Sequence, residues 1–529
     1  MYLNDCCQQA KHYCLKVNSL GWFNKIEKRK ISSGCFGEKR ERVKPKNAFK
    51  PPCATLTATI SSHSTSPRHF FMVSLLRYSS SQLRSIHNWN SSSHGPNLLT
   101  IAIETSCDDT SVAVLEKNAS NSAILHFHSR ITSDNRAYGG IHPLAAHESH
   151  QKTLAGLLNL ALEQIPEPDH NASQSLNDTL KIGNKLIRKP HFITATRGPG
   201  MRASLTTGFD TAKGLAVGLQ IPLLGVNHMQ AHALTPRLVS AINASKNESN
   251  TTATGIKPEF PYLSLLVSGG HTLLALSRSI WDHTIIANTN DLALGDMLDK
   301  SARAILPTSY ISQLSSVMYG RALEEFTFPE SSDVHSYTPP KAFPIARNGS
   351  EHGYTWKITP PYISPGPEGR AKYFNQFSFS GIGSKAINIM VKCPNMLEDE
   401  RRCLAKTVMT VAFEHLGSRV HAALNLEHLS NVKVLVVSGG VASNRFLRKV
   451  LRTFLDTRGF SHIELLIPSP ELCTDNAAMI AWTGIEMFEA GFATDLSALA
   501  LKQWSVDPKS DDGGILGVKG WIHGAMNWS

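Results

Sequence analysis

Two histidines that lie four residues apart are the first side chains in this sequence that could do chemistry. His228 and His232 fall in the segment Val226-Asn-His-Met-Gln-Ala-His232. On a helix this spacing places both imidazole rings on one face, one above the other. Two imidazoles so placed could hold a divalent metal, with the remaining ligands supplied from elsewhere in the chain. The pair alone leaves open the alternative that the rings only pack or cap.

A carboxylate near the end of the sequence could complete such a site. Asp475 precedes the apolar run Ala477–Ala481, and this favours a helix with Asp475 as its N-cap. The same carboxylate could instead reach the cleft that holds the two histidines. Two histidines and one carboxylate with open coordination positions are typical of a catalytic metal set rather than a structural one.

A turn rich in carboxylates and hydroxyls joins two predicted strands near residue 100. The strands are Asn97–Glu104 and Ser111–Leu115, and the turn between them contains Asp108 and Asp109. Such turns bind phosphate through backbone N–H groups, or a cation beside the phosphate. The alternative is local, because turns are often rich in Asp and Ser without any ligand.

Two stretches of the sequence each consist of an apolar strand followed by Ser-Gly-Gly. They are Tyr262–Gly270 and Val432–Gly440. Glycine lets a backbone approach a ligand closely. The repeat therefore predicts two related lobes that each present a glycine turn to a shared cleft. The alternative is two unrelated strand ends with tight turns.

The elements that position these residues must lie after about residue 97, because the segment before it differs in composition. Residues 1–103 hold 15 of the 53 Lys and Arg residues but 4 of the 42 Asp and Glu residues, so they account for the whole net charge of +11. The balanced remainder excludes a strongly basic nucleic-acid coat and leaves nucleic-acid binding to local patches. Nine scattered cysteines without a Cys-x-x-Cys indicate a reducing compartment. The sequence has no apolar run long enough for a transmembrane helix.

The N-terminal segment has the composition of a targeting sequence. No Asp or Glu occurs between Arg42 and Ile103, and Met72–His87 would form an amphipathic segment that carries arginine. These features are typical of a mitochondrial transit peptide. We therefore predict a disordered extension over residues 1–96, with Met72 as a candidate functional start. A plain disordered linker is the alternative.

Nine motifs, in one order, are those of a known family. From about Leu98 to about Ala500 the chain resembles the tRNA threonylcarbamoyladenosine transferases, and within them the mitochondrial type. The motifs are Ile103–Asp108, Tyr138–Gly140, Thr196–Met201, His228–His232, Leu266–Thr272, Gly295–Lys300, Phe377–Gly381, Gly439–Asn444 and Cys473–Asn476.

The resemblance implies an α/β fold of the actin/Hsp70/sugar-kinase type. Two lobes related by internal duplication would enclose a nucleotide cleft and would occupy residues 97–505. Insertions are expected near residues 165–189, 241–257 and 331–376, and a C-terminal tail over residues 506–529.

The resemblance also implies the site and its ligands. One divalent metal ion per subunit, zinc, iron or magnesium, would be held by His228, His232 and Asp475. The residues expected to bind the adenylate substrate are Leu266, Val267, Ser268, Gly269, Gly270, Asp299, Gly320 and Asn444. Asp108 is our candidate for the group that takes the proton.

The implied reaction transfers a threonylcarbamoyl group from threonylcarbamoyl-AMP to N6 of adenosine 37 in tRNAs that read ANN codons. The expected partners are tRNA, a separate synthase that supplies the donor and a second copy of this chain, without a membrane, in the mitochondrial matrix. Four basic residues on one predicted helix face could contact tRNA phosphates, or could be a solvated basic face. They are Arg445, Arg448, Lys449 and Arg452.

The sequence departs from the family pattern in the expanded segment near residues 331–376 and at two motifs. Met318-Tyr-Gly-Arg321 replaces the usual Pro-Gly-Gly-Pro turn, so only Gly320 carries over, and Gln230 replaces the glutamate between the two histidines. Two rival functions are a zinc metalloprotease, which needs His-Glu-x-x-His, and a non-catalytic Hsp70-like nucleotide-binding scaffold.

Overall fold

The computed structural model describes residues 97–168, 178–246, 255–329, 337–340, 346–349, 353–362 and 373–524. These residues belong to one compact unit. The predicted transit peptide and the candidate start at Met72 lie outside the described residues. Within the described ranges no helix combines the length and apolar character needed to cross a membrane.

Short runs of strands and helices follow one another along the described chain. The strands are β1 Leu98–Glu104, β2 Asp109–Lys117, β3 Ala123–Thr132, β4 Thr179–Ile182, β5 Lys185–Arg188, β6 Phe192–Gly198, β7 Leu223–Asn227, β8 Tyr262–Val267, β9 Thr272–Ser277, β10 His283–Thr289, β11 Arg347–Asn348, β12 Lys357–Ile358, β13 Gln376–Phe377, β14 Val434–Ser438, β15 Glu464–Leu466, β16 Phe492–Thr494 and β17 Trp521–His523. The helices are α1 Pro143–Glu163, α2 Arg202–Leu219, α3 His228–Lys246, α4 Leu294–Ile305, α5 Thr308–Ile311, α6 Tyr319–Thr327, α7 Ser380–Lys392, α8 Glu398–Leu424, α9 Arg445–Asp456, α10 Pro470–Cys473, α11 Ala477–Glu489 and α12 Gly514–Gly517.

The order of the five strands in the first sheet recurs in five of the six strands of the second. The first has the order β3-β2-β1-β6-β7, with an antiparallel β1–β2–β3 meander and with β6 and β7 added in parallel to β1. The second has the order β13-β10-β9-β8-β14-β15, with the meander β8–β9–β10 and with β14 and β15 parallel to β8. The repeated order confirms the predicted two-lobed α/β fold with internal duplication, of the actin/Hsp70/sugar-kinase type.

The two Ser-Gly-Gly turns do not belong to different lobes, so that prediction was wrong. They follow β8 and β14, which are neighbouring parallel strands of the second sheet, with Leu266 opposite Ser438. The duplication instead relates β8 to β1 and β14 to β6. The two turns lie so close that a Cβ on Gly439, whose φ is +95°, would lie 2.4 Å from the carbonyl oxygen of Val267. Glycine is required there because the two strand ends meet.

Side chains of β1 alternate between two helical layers. Leu99, Ile101 and Ile103 pack toward α1 and α2, whereas Leu98 and Ala102 pack toward α3 and α11. Helix α11 lies on the first sheet and against α3, and α3 also contacts β8 and β14 of the second sheet. These two helices therefore form a middle layer between the sheets. The inner side chains at the end of β1 point into it, because successive residues of a strand face opposite sides.

The C-terminal segment after residue 505 is folded, and the predicted tail was wrong as far as Gly524. Strand β17 pairs with β16, and Val506 and Ile515 are buried. The carboxylate of Asp507 accepts a hydrogen bond of 3.0 Å from the backbone N–H of Ile285. The segment was missed because its apolar residues lack a helical or strand period.

The predicted insertions contain regular structure. Strands β4 and β5 form a hairpin within residues 165–189, and Arg188 from it pairs with Glu116. Residues 241–246 are the last turns of α3 and not a loop. The described parts of 331–376 include the β11–β12 pair, and Tyr337 donates a hydrogen bond of 2.9 Å to Glu414 on α8.

Helix α11 contains a glycine that lets it pack closely on the first sheet, and Gly484→Ala tests this contact. A Cβ at Gly484 would lie 2.3 Å from Thr194 Oγ1 and 2.5 Å from its Cγ2. We expect the variant to lower the free energy of unfolding in urea by about 1–3 kcal/mol, as over-packed cores do. Gly156→Ala in α1 is the matched control, because the added Cβ meets no atom within 4 Å. It should stabilise by about 0.5–1 kcal/mol; equal effects of the two changes would refute the close-packing account.

Candidate metal centre

The structure brings His228, His232 and Asp475 together in the middle layer. Asn227 ends β7 and caps α3, because its Oδ1 accepts from the backbone N–H of Met229 at 2.9 Å. The helix therefore begins at His228, and both histidines lie in its first two turns. Nε2 of His228 lies 3.3 Å and Nε2 of His232 lies 3.1 Å from Oδ1 of Asp475.

The donor atoms fit a divalent ion. Ligand atoms that lie about 2.0–2.2 Å from a common tetrahedral ion are roughly 3.4 Å from one another. The observed histidine–carboxylate separations of 3.1 and 3.3 Å match this value closely, and all three ligand atoms lie within 4.8 Å of one another. Two nitrogen donors and one oxygen donor suit zinc or iron better than magnesium, which prefers oxygen ligands.

Asp475 is not the N-cap of the following helix, as the sequence analysis predicted. Helix α11 begins at Ala477, and Asn476 caps it by accepting a hydrogen bond of 3.0 Å from the backbone N–H of Met479. The shift of one residue leaves the Asp475 carboxylate free to face the histidines. The cap, Asn476, and the candidate metal ligand, Asp475, are therefore neighbouring side chains.

Glu104 is a functional candidate that the sequence analysis did not single out. Its side chain is fully buried, and Oε2 lies 3.3 Å from Nδ1 of His228. Thr196 Oγ1 donates to the same oxygen, and the backbone N–H of Ser106 donates to Oε1 at 2.5 Å. A carboxylate behind a metal-binding histidine fixes the ring and its tautomer. The sequence feature that could have identified it is a glutamate at the end of the mostly apolar strand β1.

Electrostatics couple these four side chains. Burial lowers the pKa of His228, but the charges of Asp475 and Glu104 outweigh burial and raise this pKa to about 10. Burial raises the pKa of Asp475, but His228 and His232 hold it well below its ordinary value. Burial lowers the pKa of His232, which leaves that ring neutral with a lone pair to offer. A metal ion that bound at these atoms would have to displace the proton of His228.

The acidic turn after β1 lies close to this centre. Burial raises the pKa of Asp108, and the negative charge of Asp475 raises it further. Asn135 Nδ2 donates to Oδ2 of Asp108 at 3.1 Å. Burial also raises the pKa of Asp109, to about 7, although Arg130 opposes the shift. A carboxylate with a raised pKa accepts a proton more readily than an ordinary aspartate, and this suits the predicted role of Asp108.

The predicted substrate residues from Leu266 to Gly270 lie at the C-terminal end of β8, an internal strand of the second sheet. Leu266 and Val267 have buried side chains, so they can offer only backbone groups, whereas Gly269 and Gly270 are exposed. Ser268 precedes these glycines, and its carbonyl accepts from Gly295 N–H at the start of α4 at 3.1 Å.

Asp299 and Gly320 are in contact, whereas Asn444 has a structural task. The N–H of Gly320 donates to Oδ1 of Asp299 at 2.7 Å. Asn444 caps α9, and its Oδ1 accepts from the backbone N–H of Leu447 at 2.8 Å. The side-chain oxygen of Asn444 is therefore already occupied in part.

The predicted tRNA-binding helix face is reduced to two residues. Arg448 Nε donates to the carbonyl of Ala442 at 2.9 Å, and Arg452 donates to the carbonyls of Phe460 and Ile463. Arg452 also pairs with Asp456 at 2.6 Å. These two arginines bind groups of the fold, so of the four basic residues only Arg445 and Lys449 are exposed. Their spacing alone could not show which guanidinium groups bind carbonyl oxygens.

Comparison with known proteins identifies relatives across most of the chain. A model of the tRNA N6-adenosine threonylcarbamoyltransferase family matches residues 125–482. The mitochondrial tRNA N6-adenosine threonylcarbamoyltransferase of Schizosaccharomyces pombe is 38% identical over 80% of this chain and 89% of its own length. A probable mitochondrial tRNA N6-adenosine threonylcarbamoyltransferase of Arabidopsis thaliana is 29% identical over 75% of this chain and 70% of its own length. Among solved structures, T. kodakarensis HypF aligns at 12% identity and a TM-score of 0.38, over 74% of this chain and 48% of HypF.

Glu104→Gln tests whether the buried carboxylate supports a metal ligand. The change keeps the shape but removes the negative charge behind His228, so we expect zinc affinity to fall by roughly 10- to 100-fold. Affinity would be measured by competition with a chromophoric chelator. The matched control is Glu116→Gln, at a buried carboxylate of β2 that binds Arg188 and His126. If both variants bind zinc as tightly as the unchanged chain, Glu104 has no part in the site.

Asp299→Asn tests the ionisation of a buried aspartate among the predicted substrate residues. Burial raises the pKa of Asp299 to about 6. The folded chain therefore binds this proton more tightly than the unfolded chain, and the free energy of unfolding falls as the pH rises from about 4 to about 6. The asparagine variant should gain up to about 3 kcal/mol over the unchanged chain at pH 8, with a smaller gain at pH 5.

Urea unfolding at the two pH values measures this difference. Asp210→Asn is the control, because Asp210 lies on the surface beside Lys213. It should leave the pH dependence of unfolding as it is. A gain from Asp299→Asn that is the same at both pH values would rule out the ionisation of Asp299 as its cause.

Proposed function

The chain belongs to the tRNA N6-adenosine threonylcarbamoyltransferase family, and on that premise we propose that it transfers the threonylcarbamoyl group from threonylcarbamoyl-AMP to N6 of adenosine 37 in mitochondrial tRNAs that read ANN codons. The observation that supports this most directly is the convergence of His228, His232 and Asp475 beside the acidic turn of Asp108. The chain is a transferase by family, and the metal requirement is part of the proposal.

The residues of the cleft divide the chemistry among them. His228, His232 and Asp475 would hold the ion, which as a Lewis acid supplies polarisation of the donor's carbonyl group. The exposed backbone N–H groups of Gly269 and Gly270 are suited to the donor phosphate. The carboxylate of Asp299 is an acceptor for a ribose hydroxyl.

Asp108 completes the transfer. N6 of the adenosine attacks the carbonyl carbon, the bond from that carbon to the phosphate oxygen breaks, and AMP leaves with the electron pair. Asp108 takes the proton from N6, and burial raises its pKa in favour of this task. The adenine amine is a poor nucleophile, so holding it near the donor contributes much of the rate.

The proposed partners follow from this chemistry. The donor is a mixed anhydride that a separate synthase must make, and the acceptor is tRNA. We place the reaction in the mitochondrial matrix, and we expect a homodimer. Two relatives carry mitochondrial names, which supports the compartment.

The two rival functions have less support. A metalloprotease needs a glutamate that faces the metal-bound water, but Gln230 stands between the histidines. Its amide donates to the carbonyl of Ile280 at 2.7 Å, away from the site. Glu104 lies behind His228 at Nδ1 and is fully buried. A non-catalytic scaffold has no use for three converging ligands.

Reconstitution tests the proposed reaction. Protein that starts at Asn97, loaded with metal, would be supplied with threonylcarbamoyl-AMP and an unmodified ANN-decoding tRNA, and the modified nucleoside would be measured by mass spectrometry. We expect product from the unchanged chain and at least a 100-fold lower rate from His228→Ala and Asp475→Ala, because loss of a ligand removes the metal. Asp108→Asn should keep metal binding but slow the reaction.

His147→Ala is the matched histidine control. His147 lies on α1, 3.2 Å from the hydroxyl of Thr207, and is outside the metal cluster. Its loss should leave the rate within a small factor of the unchanged chain. Product formation that survives His228→Ala and Asp475→Ala would contradict the metal-dependent mechanism, and casein cleavage by the unchanged chain would favour the protease.

A further inference from the structure

The motif Tyr138-Gly-Gly140 has no task in the mechanism above, yet the structure holds its tyrosine in a defined position. The Tyr138 ring stacks on the His142 ring, with centroids 4.0 Å apart and planes 11° from parallel. Stacking occupies one face of the tyrosine. The side chain is nevertheless 56% exposed, which leaves its other face open to solvent.

Several hydrogen bonds fix the loop that carries this exposed ring. Asn135 is buried and accepts two backbone hydrogen bonds of 3.0 Å each. Its carbonyl oxygen accepts from the N–H of Tyr138, and its Oδ1 accepts from the N–H of His142. Gly139 has a φ of +63°, a conformation that favours glycine, and its carbonyl accepts from Arg303 of α4 at 3.0 Å. A large aromatic ring that is stacked on one face, open on the other and carried by a fixed loop is suited to bind a flat ligand.

The position of the ring identifies the kind of ligand. Asn135 also donates to the Asp108 carboxylate at 3.1 Å, so the tyrosine loop is attached to the proposed proton acceptor. On its other side the loop is attached to Arg303, one helical turn after Asp299. The loop therefore bridges the acceptor side and the adenylate side of the cleft, where the reacting nucleoside must enter.

The charge of the chain favours stacking over ionic contacts. After residue 103 basic and acidic residues are equal in number, and two of the four arginine and lysine residues predicted for tRNA are bound to carbonyl oxygens. Single-stranded RNA bases are commonly held on aromatic rings, because every base has a π face. Ile141 and Leu144 are also exposed beside the ring and extend its apolar surface.

We propose that Tyr138, backed by His142, stacks on an unpaired base of the tRNA anticodon loop and so positions the acceptor adenosine next to Asp108. This inference rests on the proposed function and adds a residue that determines RNA affinity. The aromatic face carries the contact, because no hydrogen bond holds the Tyr138 hydroxyl within the described ranges. Tyr138→Phe should therefore behave like the unchanged chain.

The test measures RNA binding without the reaction. The metal-loaded chain would be titrated into an anticodon stem-loop RNA that carries 2-aminopurine in the loop, in the absence of donor. We expect Tyr138→Leu to raise the Kd on the order of 10-fold, the loss of one stacked base, and Tyr138→Phe to leave it unchanged. Trp281→Leu is the control, because Trp281 is an exposed aromatic residue that lies against Phe492 of β16 instead of the cleft.

A stem-loop without one base identifies stacking. If the removed base is the one that stacks on Tyr138, the unchanged chain and the Tyr138→Leu variant should bind this RNA with equal Kd values, as a double-mutant cycle requires. With full tRNA and donor, Tyr138→Leu should raise the KM for tRNA and leave the KM for threonylcarbamoyl-AMP unchanged.

Equal Kd values for the unchanged chain and Tyr138→Leu on intact RNA would overturn the proposal, as would a change in oligomeric state without a change in RNA affinity. Because binding is read without turnover, an inactive wild-type chain would count against the proposed function alone.

Discussion

Buried charge is the constraint on which the centre of this protein depends. Glu104, His228, His232 and Asp475 share one space between two sheets, and the Glu104 and His232 side chains are almost fully inaccessible to solvent. An unpaired carboxylate in such a place costs several kcal/mol. Two carboxylates therefore require compensating positive charge. The proton on His228, whose pKa the two carboxylates raise to about 10, supplies part of it, and a divalent ion bound to the same atoms would supply more.

The duplicated fold delivers these groups from distant parts of the sequence. Glu104 ends the first strand, the histidines begin the helix that follows the first half, and Asp475 precedes the helix that follows the second half. Both helices lie in the middle layer, so the cluster forms only when both halves are packed. Arg130 of β3 reinforces this arrangement, because it donates to Thr474 Oγ1 beside the ligand loop and lies 3.8 Å from Asp109.

Local patterns in the sequence predicted the strands and the helical histidine pair, because these depend on neighbouring residues, and the resemblance to a known family implied the two-lobed architecture. Predictions failed where the outcome depended on distant contacts. Asp475 and Asn476 are both good N-caps, and only packing decides which residue begins the helix. The two Ser-Gly-Gly strands look like a repeat between lobes, but hydrogen bonds pair them within one sheet. The arginines of α9 could not be assigned without the carbonyl oxygens that they bind.

The acidic character of the cleft limits how an anionic donor can bind. Asp108, Asp109 and Asp299 all have pKa values raised by burial, so each releases its proton at a higher pH than a surface aspartate would. A phosphate that entered among ionised carboxylates would be repelled. Neutral donors such as the N–H groups of Gly269 and Gly270 avoid this repulsion, and a divalent ion on the histidines would oppose it directly.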